Sequence, residues 1–365
     1  MPRRPMPSTP QRILLIKSHS AGIGDLLRSS AAWAVLKKRW PEARLRLLFL
    51  NRWAGYPSEE LIAEHPLLEA AHFLPMREGR WAGMRGVGPQ TWRQLLPQLR
   101  QIAKEYTPDL LIDHEPHGLE TLLVTRYLRR QCPAAASIGV AQVPGRGLLY
   151  DHAGPSLERY AREAGLALPL DYTERDFAAL RALGLARQGQ AIVLSVTAKG
   201  KRWQQEHLSR FAGRRLLGLN IGCATSGAEN KRPSLELLVE ALAPDYLPSE
   251  IPLLLTGAPN EREINQQFLV LYRRRWGADR EVVDFAGQTS LSQLTGLIAA
   301  CSLFVSSDSG PYHMAVALGV RNLVIFNFAN PSAYHHQDNV QTLINPTPTM
   351  LGEQILQSLS QGRLP

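Results

Sequence analysis

The chain has 365 residues, 44% hydrophobic and 20% charged, a globular composition that excludes a largely disordered chain and provides for about two domains, each with its own core. No window holds the roughly 18 uninterrupted apolar residues of a spanning helix, and the charged start, Met1-Pro-Arg-Arg-Pro, lacks the apolar stretch of a signal peptide. Formal net charge is +9; residues 1–188 hold 26 Lys+Arg against 18 Asp+Glu, a balance of +8, and residues 189–365 hold 15 against 14. A basic half beside a neutral half fits an anionic partner: nucleic acid, an anionic membrane surface or a phosphorylated substrate. It also fits a solvated basic surface with no partner. No zinc finger, RNP-type aromatic motif or homeodomain pattern supports nucleic acid. Cys132, Cys223 and Cys301 are odd in number, far apart and without zinc-type spacing, which fits a reduced, cytoplasmic setting.

In chain order, the apolar run at 13–16 predicts a strand, followed by the glycine-containing turn Ser20-Ala-Gly-Ile-Gly-Asp25. A helix is expected over 26–40, stopped by Pro41, and a strand over 45–50. That is a β-α-β unit of a parallel sheet. A strand over 110–113, a helix over 119–130 and a weak strand over 137–140 follow. Helices are expected at 156–165 and 174–183, and a linker at 186–190. The second half repeats the alternation. Strands are expected at 216–221, 252–256, 282–285, 303–306 and 323–326. Helices are expected at 234–242, from 261, and at 291–300, 311–318 and 350–359. The domains are therefore 1–188 and 189–345, with a C-terminal helix in 346–365 that can pack back on the N-terminal domain. Alternation this regular predicts two doubly wound α/β domains with a cleft between them, and ligands at the carboxyl ends of the strands.

Several common motifs are missing. Gly22-Ile-Gly24 is not a dinucleotide fingerprint, because position 27 is Leu, and no P-loop or nucleophile elbow occurs. His114-Glu-Pro-His117 carries a proline that disfavours a helix, so with Asp113 it reads as polar residues ending a strand more readily than as a metal site. No Asp-x-Asp exists to clamp a metal–nucleotide complex. Arg273-Arg-Arg275 reads as a solvated helix face. One segment stands out. Residues 302–319 form a strand, a tight turn at Asp308-Ser309-Gly310-Pro311, and a helix. Ser309 suits the N-cap, Gly310 a close backbone approach and Pro311 the first helical position. Helix-start amides attract phosphate, although an ordinary capped helix explains the same residues.

Asp308-Ser-Gly-Pro-Tyr-His313 resembles the D-[ST]-G-x-x-H signature of glycosyltransferase family 9, the ADP-heptose:lipopolysaccharide heptosyltransferases. Four more stretches are similar to that family, in its order. Residues 12–27 resemble its opening strand and Gly-Asp turn. Leu217-Gly-Leu-Asn-Ile-Gly222 with Lys231-Arg232 resembles the strand and lysine that meet the donor phosphates. Residues 254–261 resemble the stretch ending in the acid that holds the donor ribose, here Glu261. Gly287-Gln-Thr289-Ser-Leu291 resembles the segment near the donor base. Together they span residues 12–330. The resemblance implies a GT-B fold, two Rossmann-like domains facing across a cleft, with the nucleotide sugar on the C-terminal domain and the acceptor on the N-terminal one. It implies inverting transfer of a heptose or related sugar, with no metal and no cofactor. The donor would be ADP-heptose and the acceptor an anionic glycan or lipopolysaccharide core, met at the inner face of the cytoplasmic membrane without spanning it.

The chain departs from the family in a longer stretch between Lys17 and Gly24, and in Arg232-Pro233 where an aromatic-proline pair usually follows the lysine. Lys201-Arg-Trp203 imitates the lysine motif by letters, but it precedes the 216–221 strand, whereas a phosphate-binding lysine should follow one. Single displacement at the anomeric carbon needs a base for the acceptor hydroxyl and charge neutralisation on the leaving diphosphate. The resemblance makes Asp25 the base, Lys231 with the Ser309–Gly310 amides the diphosphate site, and Glu261 the ribose acceptor. Thr289 would lie near the base of the nucleotide, and Asp308 and His313 near the diphosphate or sugar. His117 would face the acceptor. Each has a plain structural alternative: Asp25 and Glu261 as helix-start acids, Lys231 as a surface lysine, Asp308 and His313 as a capping or packing pair. His335 and His336 have no assignment. A nucleotide-sugar epimerase or hydrolase, and a non-catalytic sugar-nucleotide or polysaccharide binder, fit the same fold.

Overall fold

The structure is a computed structural model and describes residues 2–18, 22–51, 58–76, 80–81, 84–85, 88–223 and 229–361. Ser20 and Ala21 of the expected opening turn, and 224–228 of the loop after Gly222, lie outside the described residues. The chain divides into two compact units, Met1–Ile192 and Val193–Pro365, so the division falls after Ile192 where 188 was expected.

The strands in chain order are β1 (Arg12–Ser18), β2 (Arg44–Asn51), β3 (Ala70–Pro75), β4 (Arg80–Trp81), β5 (Met84–Arg85), β6 (Leu110–Asp113), β7 (Ala136–Val140) and β8 (His152–Gly154) in the first unit. In the second they are β9 (Leu217–Asn220), β10 (Leu253–Thr256), β11 (Val282–Asp284), β12 (Leu303–Ser307), β13 (Asn322–Phe326) and β14 (Val340–Ile344). The first unit's main sheet is parallel in the order β3-β2-β1-β6-β7-β8, and β4 pairs with β5 as a short antiparallel ribbon. The second unit's sheet is parallel in the order β11-β10-β9-β12-β13-β14. The two orders are the same when each sheet is counted from its own first strand. In both, the chain winds outward from the first strand and returns on its other side, so the order reverses beside β1 and beside β9.

The cause is visible in the strands. Ile13, Leu14, Leu15 and Ile16 of β1 are all fully buried, as are Leu253, Leu254 and Leu255 of β10. Strands apolar on both faces need helices on both faces, which parallel crossovers supply. The second core gathers Leu217, Leu219, Leu253, Leu255, Val305 and Ile325 from the sheet with Phe268 and Tyr272 from the helix Arg262–Trp276. The C-terminal helix, expected to pack back on the first domain, runs Pro348–Ser360 and puts Leu351, Ile355 and Leu359 into this second core. The expected 26–40 helix is broken at Ser29 into Ile23–Arg28 and Ser30–Arg39. Strands β3, β8 and β14 and the helices Pro89–Tyr106 and Ala198–Leu208 were not expected from the sequence.

The N-terminal segment is tied to the first sheet. Arg4 Nη1 donates to the carbonyls of Arg129 (2.8 Å), Cys132 (2.8 Å) and Ala135 (2.7 Å), at and beyond the end of the helix Leu119–Gln131. Its backbone N–H reaches Asp151 Oδ1 at 2.8 Å. Helix-end carbonyls lack intrahelical donors, so one guanidinium supplies what a C-cap otherwise would. Arg4→Ala should cost about 2 kcal/mol and lower the thermal midpoint by roughly 5 °C. An unchanged midpoint in calorimetry would show that water replaces the guanidinium without loss.

Candidate functional site

In the second unit, the strand order reverses between β9 and β12, and open parallel sheets bind ligands at that point outside the carboxyl ends. Ser309 Oγ lies 3.0 Å from Asn220 Oδ1, to which it donates, and 3.2 Å from the Ser307 carbonyl. Ser307 Oγ donates to the Gly222 carbonyl at 3.0 Å. Two serines therefore tie the strand ends together across the reversal. Ser309 holds the N-cap position of the helix Gly310–Ala317, but its hydroxyl makes no capping bond, in contrast to the expected cap. The Ser309 hydroxyl thus leaves the first-turn amides of that helix uncapped, and Pro311 removes one donor.

Lys231 ends a short turn, Glu229–Lys231, and its Nζ donates to Asp308 Oδ2 at 2.7 Å. Asn327, just past β13, donates from Nδ2 to the carbonyls of Asn230 (2.7 Å) and Arg232 (2.8 Å), which pins that turn at the strand ends. Asp308 is buried and the ammonium half-exposed, so positive charge is the part shown to solvent. Glu261 is buried at the end of the turn after β10. Its Oε2 accepts from Ala258 N–H at 2.7 Å, and its Oε1 is buried without a hydrogen-bond partner among the described residues. A Cβ added at Gly222 would fall 1.9 Å from that Oε1, so the carboxylate lies directly on the backbone at the end of β9. Burial pushes the Glu261 carboxyl above its ordinary range, against the pull of the Ala258 amide and Arg232. Thr289 is half-buried on the loop after β11, which Arg262 holds through the carbonyls of Ala286 (2.9 Å) and Gly287 (3.1 Å). His313 Nδ1 lies 2.9 Å from His335 Nε2, and Tyr312 Oη accepts from the His335 N–H at 3.0 Å.

The structure thus brings Lys231, Asp308, Ser309, Gly310 and Glu261 to the carboxyl ends of β9, β10 and β12, with His313 inside the helix that follows β12. Lys201 sits elsewhere. It is exposed on the helix Ala198–Leu208 and lines a groove of about 780 Å³ with Arg214, Leu216, Ser302 and Leu359. Leu216 and Ser302 precede β9 and β12, so that groove is at the amino ends of the strands, where parallel sheets do not bind their ligands. Sequence reasoning gave no role to Asn220, Asn327, Arg232 or His335. Asn220 could have been noticed as a polar residue ending an apolar strand; His335 gives no local signal of its partner.

In the first unit, the reversal lies between β1 and β6. Asp25 is half-buried in the helix Ile23–Arg28, and its Oδ2 accepts from Gly22 N–H at 3.3 Å. Next to it is a buried cluster the sequence did not reveal. Lys17 at the end of β1 donates to Asp176 at 2.9 and 3.1 Å, and His114 Nδ1 lies 3.6 Å from the same carboxylate. Burial works against the Lys17 charge, but Asp176, Glu115 and Asp25 together hold its pKa above the ordinary value. Asp113 accepts from Tyr150 (2.6 Å), Arg146 (3.0 Å) and Thr121 (3.1 Å); burial pushes its carboxyl up to about 7 against those donors. Asp113 is enclosed and serves as an anchor. His117 is exposed on the loop after β6.

Residues 249–350 match the family model of glycosyltransferase family 9 (heptosyltransferase). The chain is 40% identical over 60 residues to lipopolysaccharide core heptosyltransferase OpsX of Haemophilus influenzae, covering 16% of this chain and 17% of that protein. It is 25% identical over 129 residues to lipooligosaccharide heptosyltransferase 2 of Campylobacter jejuni, covering 34% and 39%. The chain therefore aligns with well under half the length of these relatives. Superposition on E. coli ADP-heptose lipopolysaccharide heptosyltransferase II gives a TM-score of 0.69 at 22% identity, covering 96% of this chain and 99% of that one. The fold is GT-B, and the resemblance to family 9 read from the sequence holds.

His114 yields a prediction that needs no substrate. It is fully buried, and burial lowers its pKa from 6.5 to about 4 against the opposing pull of Asp176, 3.6 Å from Nδ1. Between those values the unfolded chain binds the extra proton, so this group's contribution falls as pH drops from about 6.5 toward 4. His114→Leu should remove that slope. The difference in unfolding free energy should move in the variant's favour by up to about 1.4 kcal/mol per pH unit across the window. Parallel stability curves for the two proteins would contradict it.

Proposed function

We propose that this chain, which resembles glycosyltransferase family 9 in sequence over its second unit and has the GT-B fold over its length, is an inverting, metal-independent heptosyltransferase. Its donor is a nucleotide heptose such as ADP-heptose. Its acceptor is a lipopolysaccharide-core or similar anionic glycan at the inner face of the cytoplasmic membrane, where the protein works peripherally. The observation that carries the reading is the buried, unanswered Oε1 of Glu261 on the Gly222 backbone, at the same strand ends as Lys231 and the uncapped helix start. A nucleoside diphosphate fits that set: ribose hydroxyls donate to Glu261, and diphosphate oxygens accept from Lys231, beside its Asp308 partner, and from the helix-start amides.

In this reading each residue has a chemical role. Asp25 takes the proton of the acceptor hydroxyl as its oxygen attacks the anomeric carbon. The bond to the diphosphate breaks from the opposite side, and the charge that develops there is held by Lys231 and backbone amides. Lys231 shares its charge with Asp308, so Asp308 fixes the ammonium in place. His313, 2.9 Å from His335, is assigned to the sugar or diphosphate. Full-length protein with ADP-heptose and heptose-free lipopolysaccharide core should add one heptose to the acceptor, seen as a mass shift, with EDTA present. Loss of transfer on chelation, restored by Mg²⁺ or Mn²⁺, would contradict metal independence. Release of free sugar or an isomer would favour the hydrolase or epimerase.

Two substitutions separate the roles. Lys231→Ala should weaken ADP binding roughly ten- to hundredfold, the loss of one charge-assisted contact, while Lys201→Ala leaves it unchanged. Calorimetric titration showing the reverse would move the phosphate site to the other end of the sheet. Asp25→Asn should cut transfer roughly 10²–10⁴-fold with ADP affinity and thermal midpoint retained. A variant keeping more than about a tenth of wild-type turnover makes Asp25 a helix-start acid and not the base.

A further inference from the structure

The turn between β7 and β8 combines two features that seldom occur together: apolar exposure and rigid anchoring. Leu148 is 76% exposed, Val143 45% and Leu149 37%, all within seven residues. Such a run on a connecting turn is costly in water and calls for a partner. Beneath it the turn is fixed. Arg146 is buried and donates to Asp113 Oδ2 (3.0 Å), the Gly118 carbonyl (2.8 Å) and the Glu115 carbonyl (2.7 Å). Tyr150 is buried, donates to the same Asp113 at 2.6 Å, and packs its ring where Gly139 has no side chain. Arg146 and Tyr150 thus pull inward from either side of Leu148 and Leu149 and leave the leucines standing outward.

The location is informative. Glu115 and Gly118 belong to the loop that follows β6 and carries His117, so the turn is bonded to the carboxyl end of the first sheet. One flank of the turn is basic, while at its start Gln142 donates to the exposed Glu158 carboxylate at 3.0 Å. Arg126 donates to the Leu149 carbonyl at 3.0 Å, and Arg130, one helical turn further along, is exposed. Both lie in the half of the chain that holds the +8 charge balance. A fixed apolar tip with arginines on one flank is the chemistry of an anionic lipid interface: leucines enter the headgroup–acyl boundary and arginines stay with the headgroups.

We propose that the 143–149 turn is the membrane-docking surface of this protein, with Leu148 and Leu149 inserting into an anionic bilayer and Arg126 and Arg130 paired to its headgroups. The proposal deepens the transferase reading and rests on it for its purpose: a lipid-borne acceptor would be presented beside the turn that enters its own membrane. The docking itself needs no transfer, so the two fail separately.

The test uses the full chain with vesicles of phosphatidylglycerol and of phosphatidylcholine. Wild type should bind the anionic vesicles, and L148S/L149S should bind them at least about tenfold more weakly, with an unchanged thermal midpoint because both residues face solvent. Leu148→Cys carrying an environment-sensitive fluorophore reports insertion directly, and the three native cysteines are all buried, which leaves the new thiol the reactive one. Its emission should shift to the blue with phosphatidylglycerol and stay put with phosphatidylcholine. Equal binding by wild type and the serine double variant, or no spectral shift, overturns the proposal. So does a wild type that ignores vesicles but loses self-association in sedimentation when the leucines become serine, which makes the turn a contact between copies. Vesicle binding that depends on Leu148, in a protein that transfers no sugar, would keep the docking surface and remove the transferase reading.

Discussion

Each sheet reverses its strand order beside its first strand, and the placement of the candidate residues around β9 and β12 depends on that constraint. Parallel strands buried on both faces leave their ends as the place where polar groups gather, and reversal keeps the next helix from closing over them. In the second unit this leaves Asn220 and Ser309 to tie the strand ends together, and sets the Lys231–Asp308 pair at 2.7 Å beside them. Asn327 holds the lysine's turn from β13. A fixed polar surface results from a few side-chain bonds on a rigid frame.

The excess charge of the first half divides into two populations. Arg28, Arg129 and Arg146 are buried and paired with Asp171, Asp151 and Asp113, and Arg4 answers helix-end carbonyls. These cations build the fold, and removing one partner of such a pair would leave a costly buried charge. The exposed arginines are the ones that can meet an anion. Composition counts both alike, so a charge balance alone does not locate a binding surface.

Most of the architecture was legible because both sheets are made of apolar runs bounded by turn residues; the strands at 13–16, 45–50, 110–113 and 303–306 were read close to their true bounds. What escaped has physical reasons. The helix Ala198–Leu208 is mostly polar, with Trp203 and Leu208 as its buried large side chains. Strand β14 lies at a sheet edge and alternates in burial, with Gln341 and Thr342 in its short span. At the site, the Asp-Ser-Gly-Pro turn and Lys231 were legible as local patterns. The Lys17–Asp176 and His313–His335 pairs were not, because each joins residues far apart in sequence. The serine that reads as a helix cap instead bonds across to β9, a choice only the tertiary structure reveals.

The central claim is that the carboxyl ends of β9, β10 and β12 hold a nucleoside diphosphate, and hydrogen–deuterium exchange with and without ADP tests it most directly. The account predicts slower exchange in segments 229–233, 257–262 and 308–314, with segments 201–216 unchanged. Protection confined to 201–216, or an exchange pattern that ADP does not alter, would contradict it.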